Sequence, residues 1–167
     1  TGIPANGVGS PVSGTLTNNS NIQQTTVFTL SASAGTCSST TTATIIVNPR
    51  PTVNSLPATQ TKCSAEPITQ IDITNPNSVA GTVFTWTRNN TVNLTGIPAS
   101  GSGTTITGTL INNTITQQTT VFTITATAGT CTSVTTVNVI VNPKPVVNAI
   151  SNVAYCNNAN GVAINFG

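Results

Sequence analysis

Residues 117–145, which read QQTTVFTITATAGTCTSVTTVNVIVNPKP, carry the pattern that decides the fold. A close copy occurs 94 residues earlier, at 23–51, as QQTTVFTLSASAGTCSSTTTATIIVNPRP. Over the wider ranges 1–51 and 95–145, 32 of 51 positions are identical without a gap. Self-similarity at a fixed period is the signature of an array of similar units. The sequence therefore predicts repeated domains of about this length.

The repeat divides the chain into three segments. Residues 52–145 form one complete unit, residues 1–51 the C-terminal half of a preceding unit, and residues 146–167 the start of a following one, where Cys156 aligns with Cys63 after a one-residue deletion. Half a β-sandwich leaves its core and its strand edges uncovered. We therefore interpret the chain as part of a longer array. The alternative is that neighbouring chains complete the halves by donating strands.

Period-two alternation within the complete unit predicts strands. In the last two predicted strands, apolar side chains at every second position face inward between outward-facing Thr and Asn, and the turn at 128–130 makes these strands a hairpin. Shorter strands are predicted near 68–74, 82–88 and 106–110, and turns are predicted at 75–77 and 88–90. The residues predicted to face inward are Ile71, Ile73, Phe84, Trp86, Ile106, Leu110, Phe122, Ile124, Ala126, Ala128, Val137, Val139 and Val141. About seven short strands with no helical pattern predict an all-β fold of tandem immunoglobulin-like antiparallel β-sandwiches.

Prolines flank the boundaries between the predicted units. Pro49 and Pro51 end the first segment, and Pro143 and Pro145 end the complete unit. Proline fixes its own φ and biases the preceding residue toward an extended conformation. We expect short, stiff linkers that align successive units as a rod.

The composition argues against catalysis and against two classes of partner. The chain has no His, four basic residues and two acidic residues, Glu66 and Asp72. Histidine-based acid–base catalysis, a Ser-His-Asp triad and a His-ligated metal are therefore excluded within it. We expect no enzyme activity, no catalytic residue and no cofactor or metal. The low charge is unlike that of a nucleic-acid binder, and no long apolar run predicts membrane insertion.

The four cysteines, at 37, 63, 131 and 156, lack the CxxC spacing of zinc sites and indicate structural disulfides. One pairing joins Cys63 to Cys131 within the unit and leaves Cys37 and Cys156 to partners outside the sequence. Such a bridge would close a long loop and stabilise the unit. The other pairing joins Cys37 to Cys63 and Cys131 to Cys156, which would clip successive units together.

Trp86 is the sole tryptophan, and it shares a strand face with Phe84. We expect Trp86, Phe84 and Phe122 to form a pin in the core, while the alternative is that Trp86 stacks on sugars. Sequons for N-glycosylation begin at Asn18, Asn89, Asn93 and Asn112. We expect low occupancy because such triplets arise by chance in a chain this rich in Asn and Thr.

The phrases VFTWTRNNTVNLTGIPASGSG, QQTTVFTITATAGTCT and VNVIVNPKP resemble the PKD-like, immunoglobulin-like repeats of giant surface adhesins from gliding Bacteroidetes-type bacteria. The resemblance covers essentially the whole chain. It implies an exported, extracellular filament or stalk on the bacterial surface, moved through the type 9 secretion route. The implied partners are neighbouring repeats of the same chain, together with surface glycans or other copies of the filament.

These observations predict a structural spacer repeat of a secreted adhesin that supports adhesion or gliding motility. Two alternatives come from other classes. One is a carbohydrate-binding immunoglobulin-like module, and the other is a filament subunit completed by strand exchange.

Overall fold

The computed structural model describes residues 2–9, 11–150 and 152–163, and its regular elements are all β-strands. The part of the chain so described contains no helix long and apolar enough to cross a membrane. The strands are β1 Gln24–Ala34, β2 Cys37–Val47, β3 Asn54–Leu56, β4 Thr59–Cys63, β5 Ile71–Thr74, β6 Val83–Arg88, β7 Leu94–Thr95, β8 Ser100–Ser102, β9 Thr105–Ile106, β10 Ile111–Asn112, β11 Gln118–Ala128 and β12 Cys131–Asn142.

Residues 52–145 form a sandwich of two sheets around one core. A five-stranded sheet has the order β4-β12-β11-β6-β8, and a three-stranded sheet has the order β3-β5-β9. The short strands β7 and β10 pair with each other. Apolar side chains from both sheets meet in a single buried cluster, which contains Ile68, Ile71, Ile73, Phe84, Trp86, Leu94, Ile97, Ile106, Leu110, Phe122, Ile124, Ala126, Val137, Val139 and Val141.

The alternation that predicted the strands also describes the core. All thirteen residues predicted to face inward are buried, and the seven of them that lie on the two long strands are at most 9% exposed. These two strands, β11 and β12, pair antiparallel from Gln118 opposite Val141 to Ala128 opposite Cys131. A strand buries only one face against the opposite sheet, so a period of two is the expected signal. The all-β prediction is confirmed.

The sheet topology corrects one part of the prediction, because the sandwich is not wholly antiparallel. Strand β4 pairs in parallel with β12, with Thr59 opposite Asn138 and Cys63 opposite Asn142. The first strand of the unit, β3, belongs to the three-stranded sheet, and β4 follows it across a cis Leu56–Pro57 peptide and joins the five-stranded sheet. The unit holds ten strands rather than about seven, since several are only two or three residues long.

The earlier copy of the hairpin, β1–β2, has the same register but lacks a cover. Gln24 lies opposite Val47, just as Gln118 lies opposite Val141. However, Leu30 is 41% exposed and Ile45 is 39% exposed, whereas their equivalents in the complete unit are fully buried. The repeated sequence thus forms the same hairpin in both places, and in the first its inner face has no opposing sheet among the described residues.

Smaller features recur with the sequence as well. The Asn18 side-chain amide donates to the carbonyls of Ile22 and Val47, and that of Asn112 donates to those of Thr116 and Val141. A turn follows Cys63 and another follows Cys156, each with a residue at positive φ, namely Ala65 at 68° and Asn158 at 67°. In both turns the amide three residues after the cysteine donates to the cysteine carbonyl. The copies therefore share turn geometry as well as strand register.

Candidate functional site

The proline-containing segment that precedes the sandwich is bound to it by side-chain hydrogen bonds. Arg50 Nε donates to the carbonyl of Thr132 at 2.8 Å, across 82 residues of sequence. The amide of Asn77 donates to the Arg50 carbonyl at 2.9 Å, and its oxygen accepts from Thr52 N at 2.9 Å. Pro51 between them is fully buried. We call residues 50–52 together with Asn77 and Thr132 the joint.

The joint depends on a turn that the sequence already marked, at 75–77. Asn75 donates through its amide to the Val79 carbonyl at 3.0 Å and to Thr82 Oγ1 at 2.9 Å, and Ser78 follows at a φ of 52°. Asn is favoured in turns because its short side chain bonds nearby backbone and side chains. This turn presents Asn77 to residues 50–52. Pro51 is buried, and its repeat equivalent Pro145 is exposed.

Trp86 lies in the core, as the core-pin prediction expects. It is 8% exposed, and its ring meets that of Phe122 edge to face, with 5.7 Å between centroids and 62° between planes. Phe84 is equally buried beside it. The alternative in which Trp86 stacks on sugars is wrong for this geometry, because a stacking platform needs an exposed ring face. The indole Nε1 is buried without a hydrogen-bond partner in the described structure.

Arg88 is a structural residue that the sequence analysis missed. Only 8% exposed, it donates from Nε to the carbonyls of Ile97 at 2.9 Å and Pro98 at 3.1 Å, and from Nη2 to the Leu94 carbonyl at 3.0 Å and again to that of Ile97. Burial lowers the pKa of the guanidinium. Its planar fork of donors suits several carbonyls at once. Arg88 continues the alternation of Phe84 and Trp86 along β6, which indicates an inward-facing position. The sequence nevertheless led us to predict a turn at 88–90.

The predicted bridge between Cys63 and Cys131 is wrong for this fold. Cys63 lies opposite Asn142 at one end of β12, and Cys131 begins that same strand eleven residues earlier. At about 3.3 Å per residue the two lie roughly 36 Å apart, whereas a disulfide needs Cα atoms within about 7 Å. All four cysteines are free thiols in the structure. Cys63 and Cys131 do not pair because they lie at opposite ends of β12.

The two carboxylates have ordinary surface roles. Glu66 accepts from Cys63 N at 3.1 Å and from Lys62 Nζ at 3.2 Å, and the backbone hydrogen bond, followed by the lysine, holds the pKa of this carboxyl below its usual value. Asp72 is exposed and accepts from Gln70 Nε2 at 2.6 Å. Within the described ranges no group of three or more His, Cys, Asp and Glu side chains is placed to hold a metal ion.

All four sequon asparagines make side-chain hydrogen bonds, those of Asn18 being described above and the Asn93 amide donating to Gln118 Oε1 at 3.4 Å. Asn112 is 9% exposed and its amide nitrogen makes both hydrogen bonds described above. Asn89 accepts from Val121 N at 2.8 Å through its side-chain oxygen. A glycan on the Asn112 amide nitrogen would displace its hydrogen bonds to the Thr116 and Val141 carbonyls. Asn112 therefore has a structural role at the ends of these strands.

The outer face of the five-stranded sheet is rich in uncharged hydroxyl groups, with exposed Val83 and Val134 among them. Thr123 on β11 lies in register with Thr87 on β6 and with Thr136 on β12. Thr125 lies opposite Thr85 in the next row. Because these side chains carry no charge, attraction to this face responds weakly to salt.

Comparison with known proteins gives a family for the complete unit. The family described as "PKD-like domain" matches residues 60–145, just over half of the chain. No curated protein sequence matches the chain.

Similar solved structures are distant. The titin domains Z1Z2 in complex with telethonin share 17% identity at a TM-score of 0.32, covering 72% of this chain, and this chain spans only 62% of the titin chain. A chimeric titin Z1Z2 carrying a decorin peptide gives the same identity and TM-score, with 71% and 62% covered. Domains 4 and 5 of the S-layer protein SbsC share 14% identity at a TM-score of 0.34, with 83% and 87% covered. Likeness at this level does not bear on function.

Proposed function

Because the chain belongs to the family of PKD-like domains, we propose that it is a structural spacer repeat in the stalk of a secreted bacterial surface adhesin or filament. PKD-like and immunoglobulin-like domains are typically non-catalytic structural modules. In this proposal, tandem units joined by proline linkers hold an adhesive region away from the cell. The sequence resemblance to gliding adhesins supports an extracellular location, the type 9 export route and a role in adhesion or gliding.

The contacts of the joint are the observation that best supports a spacer role. A spacer must transmit orientation from one unit to the next, and a free linker would not do so. Arg50 and Asn77 bind the linker to the complete unit through hydrogen bonds of 2.8 and 2.9 Å, and Pro51, which follows Arg50, is buried. These contacts restrict the angle at which the chain enters the unit. Linkers of this kind favour an extended array.

The strand order also suits a load-bearing role. The chain enters the unit beside Thr132 and leaves it after Asn142, at the opposite end of β12. A pull on the two ends draws β4 and β12 past each other, since these strands are parallel and paired over five residues. All the hydrogen bonds of that pair are then loaded together, in shear. A unit loaded this way resists extension better than one whose bonds open singly.

Single-molecule force spectroscopy tests the proposal on a chain that carries several complete units in series. We expect a regular series of unfolding peaks, each separated by the contour length of one unit of 94 residues. A single irregular transition, or extension without resistance, would contradict a spacer role. A chain in which Arg50 and its equivalents are alanine serves as a comparison, with peak spacing unchanged and a more flexible rod in small-angle X-ray scattering.

A second candidate function is a filament subunit completed by strand exchange. It is favoured by the uncovered inner face of β1–β2, where Leu30 and Ile45 are about two-fifths exposed. Strands from another copy would cover that face in the manner of known donor-strand assemblies. Light scattering and electron microscopy of the isolated chain test it. A monomer at all concentrations would remove this candidate, and fibres that dissolve on Leu30→Asp substitution would support it.

A further inference from the structure

The cysteines of this fold lie at opposite ends of a unit. Cys131 begins β12 and is covalently next to Thr132, whose carbonyl accepts from Arg50 in the joint. Cys63 ends β4, opposite Asn142, where the chain leaves the unit. One thiol therefore marks the end at which the chain enters and the other marks the end at which it leaves.

The first hairpin indicates which end of a preceding unit would face the joint. Asn48 is the repeat equivalent of Asn142, and the side-chain amide of Gln23 binds Asn48 just as that of Gln117 binds Asn142. In a unit completed on β1–β2, the counterpart of Cys63 would lie opposite Asn48. Arg50, two residues further on, contacts Thr132 at 2.8 Å. Two extended residues span only about 7 Å, so that counterpart would lie at the end of the completed unit that faces the joint, where Cys131 begins β12.

We propose that Cys131 is a cross-linking site, whose partner is the Cys63-type cysteine of the preceding unit. This inference rests on the proposed tandem function and deepens it, because the cross-link would join neighbours covalently beside the proline linker. Cys63 would pair likewise with the hairpin cysteine of the following unit. Both thiols are accessible for reaction, Cys63 being exposed and Cys131 half-buried.

The chemistry is thiol–disulfide exchange with a small disulfide oxidant such as glutathione disulfide. One cysteine thiolate attacks the oxidant, releasing one glutathione thiolate and leaving a mixed disulfide. The second cysteine thiolate attacks that protein sulfur and releases the other glutathione thiolate. The protein loses two protons and two electrons, and the oxidant becomes two thiols. An oxidising extracellular environment would preserve the product.

The test completes the preceding unit with the protein's own sequence. A copy of residues 52–94 is joined in front of residue 1 of the full chain, which supplies one added cysteine and one added tryptophan. The original Cys63 is changed to Ser, so that the added cysteine is identifiable. After oxidation with glutathione disulfide, thiols are blocked and peptides are mapped by non-reducing mass spectrometry. We expect at least tenfold more of the link between the added cysteine and Cys131 than of any other pair.

Three further variants test which cysteines form the link. Cys131→Ser should abolish the main link, whereas Cys37→Ser should leave it unchanged. Arg50→Ala should slow the formation of the link severalfold, because it releases the linker from Thr132. A dominant link between the added cysteine and Cys37, or no link at all, would overturn the proposal.

Tryptophan fluorescence of the same extended chain distinguishes a failure of the cross-link proposal from a failure of the spacer proposal. If the added half folds onto β1–β2, both tryptophans emit as buried indoles. Buried emission without the Cys131 link would overturn the cross-link alone and leave the spacer function standing. Emission from an exposed second tryptophan would show that the added half does not complete the unit, and would overturn both proposals.

Discussion

Gly101 and Trp86 lie opposite each other on strands β8 and β6, and the indole occupies the space that a side chain at position 101 would need. A Cβ on Gly101 would come within 2.4 Å of Trp86 Cζ2 and 2.7 Å of Cε2. The absence of a side chain at this position is thus what allows the core tryptophan to reach the edge of its sheet.

Gly101→Ala should destabilise the complete unit, because the new methyl overlaps a ring that is already held against Phe122. Overpacking of this kind costs about 1–3 kcal/mol. The free energy of unfolding is measured with denaturant, and the emission of the sole tryptophan reports the local change. Gly161→Ala is the control, since nothing lies within 4 Å of that position. Equal stability of the two variants would contradict the close contact.

Arg88→Met should also destabilise the unit, because it leaves the carbonyls of Leu94 and Ile97 without their buried donors. Unsatisfied buried carbonyls cost about 1–3 kcal/mol each. We expect a loss of about 2–4 kcal/mol in equilibrium unfolding. Lys144→Met, which removes a cation from an exposed position, is the matched comparison and should have little effect. Stability unchanged by Arg88→Met would mean that methionine packing replaces the hydrogen bonds.

Phe122→Ala and Phe28→Ala change equivalent residues of the two copies in different surroundings. Phe122 is fully buried in the sandwich core, whereas Phe28 lies half-buried on the uncovered hairpin β1–β2. A buried Phe→Ala change costs about 3–5 kcal/mol through lost burial and the cavity left behind. We expect that cost for Phe122→Ala and less than about 1 kcal/mol for Phe28→Ala, both measured in the full chain. Similar losses at both positions would show that the hairpin is covered in solution.

Lys62→Pro should weaken the mechanical resistance of the unit. Lys62 lies within the parallel pairing of β4 with β12, opposite Val141. Proline lacks an N–H and does not fit the interior of a paired strand. We expect a lower unfolding force in single-molecule pulling. Lys62→Ala removes the side-chain contact with Glu66 but keeps the backbone N–H, and it should leave the force unchanged, so equal forces for the two variants would exclude β4–β12 as the load-bearing pair.

The sequence by itself determined the repeat, the all-β class and nearly the whole apolar core. Strand faces alternate with a period of two, and the side chains from Phe122 to Ala128 and from Val137 to Val141 carry that period without interruption. Turn residues likewise marked the hairpin at 128–130 and the turn at 75–77. These features are local, since each follows from residues close together in the chain.

Only the tertiary structure decided which distant residues meet. The parallel pairing of β4 with β12 brings Cys63 beside Asn142 and thereby separates it from Cys131 by the length of the strand. Arg88 proved to be buried among carbonyls, and Arg50 proved to bind Thr132. Alternation reports which face a residue occupies but carries no information about its partner across the sandwich. Sheet order, and the ends at which the linker and the thiols lie, therefore came from the fold alone.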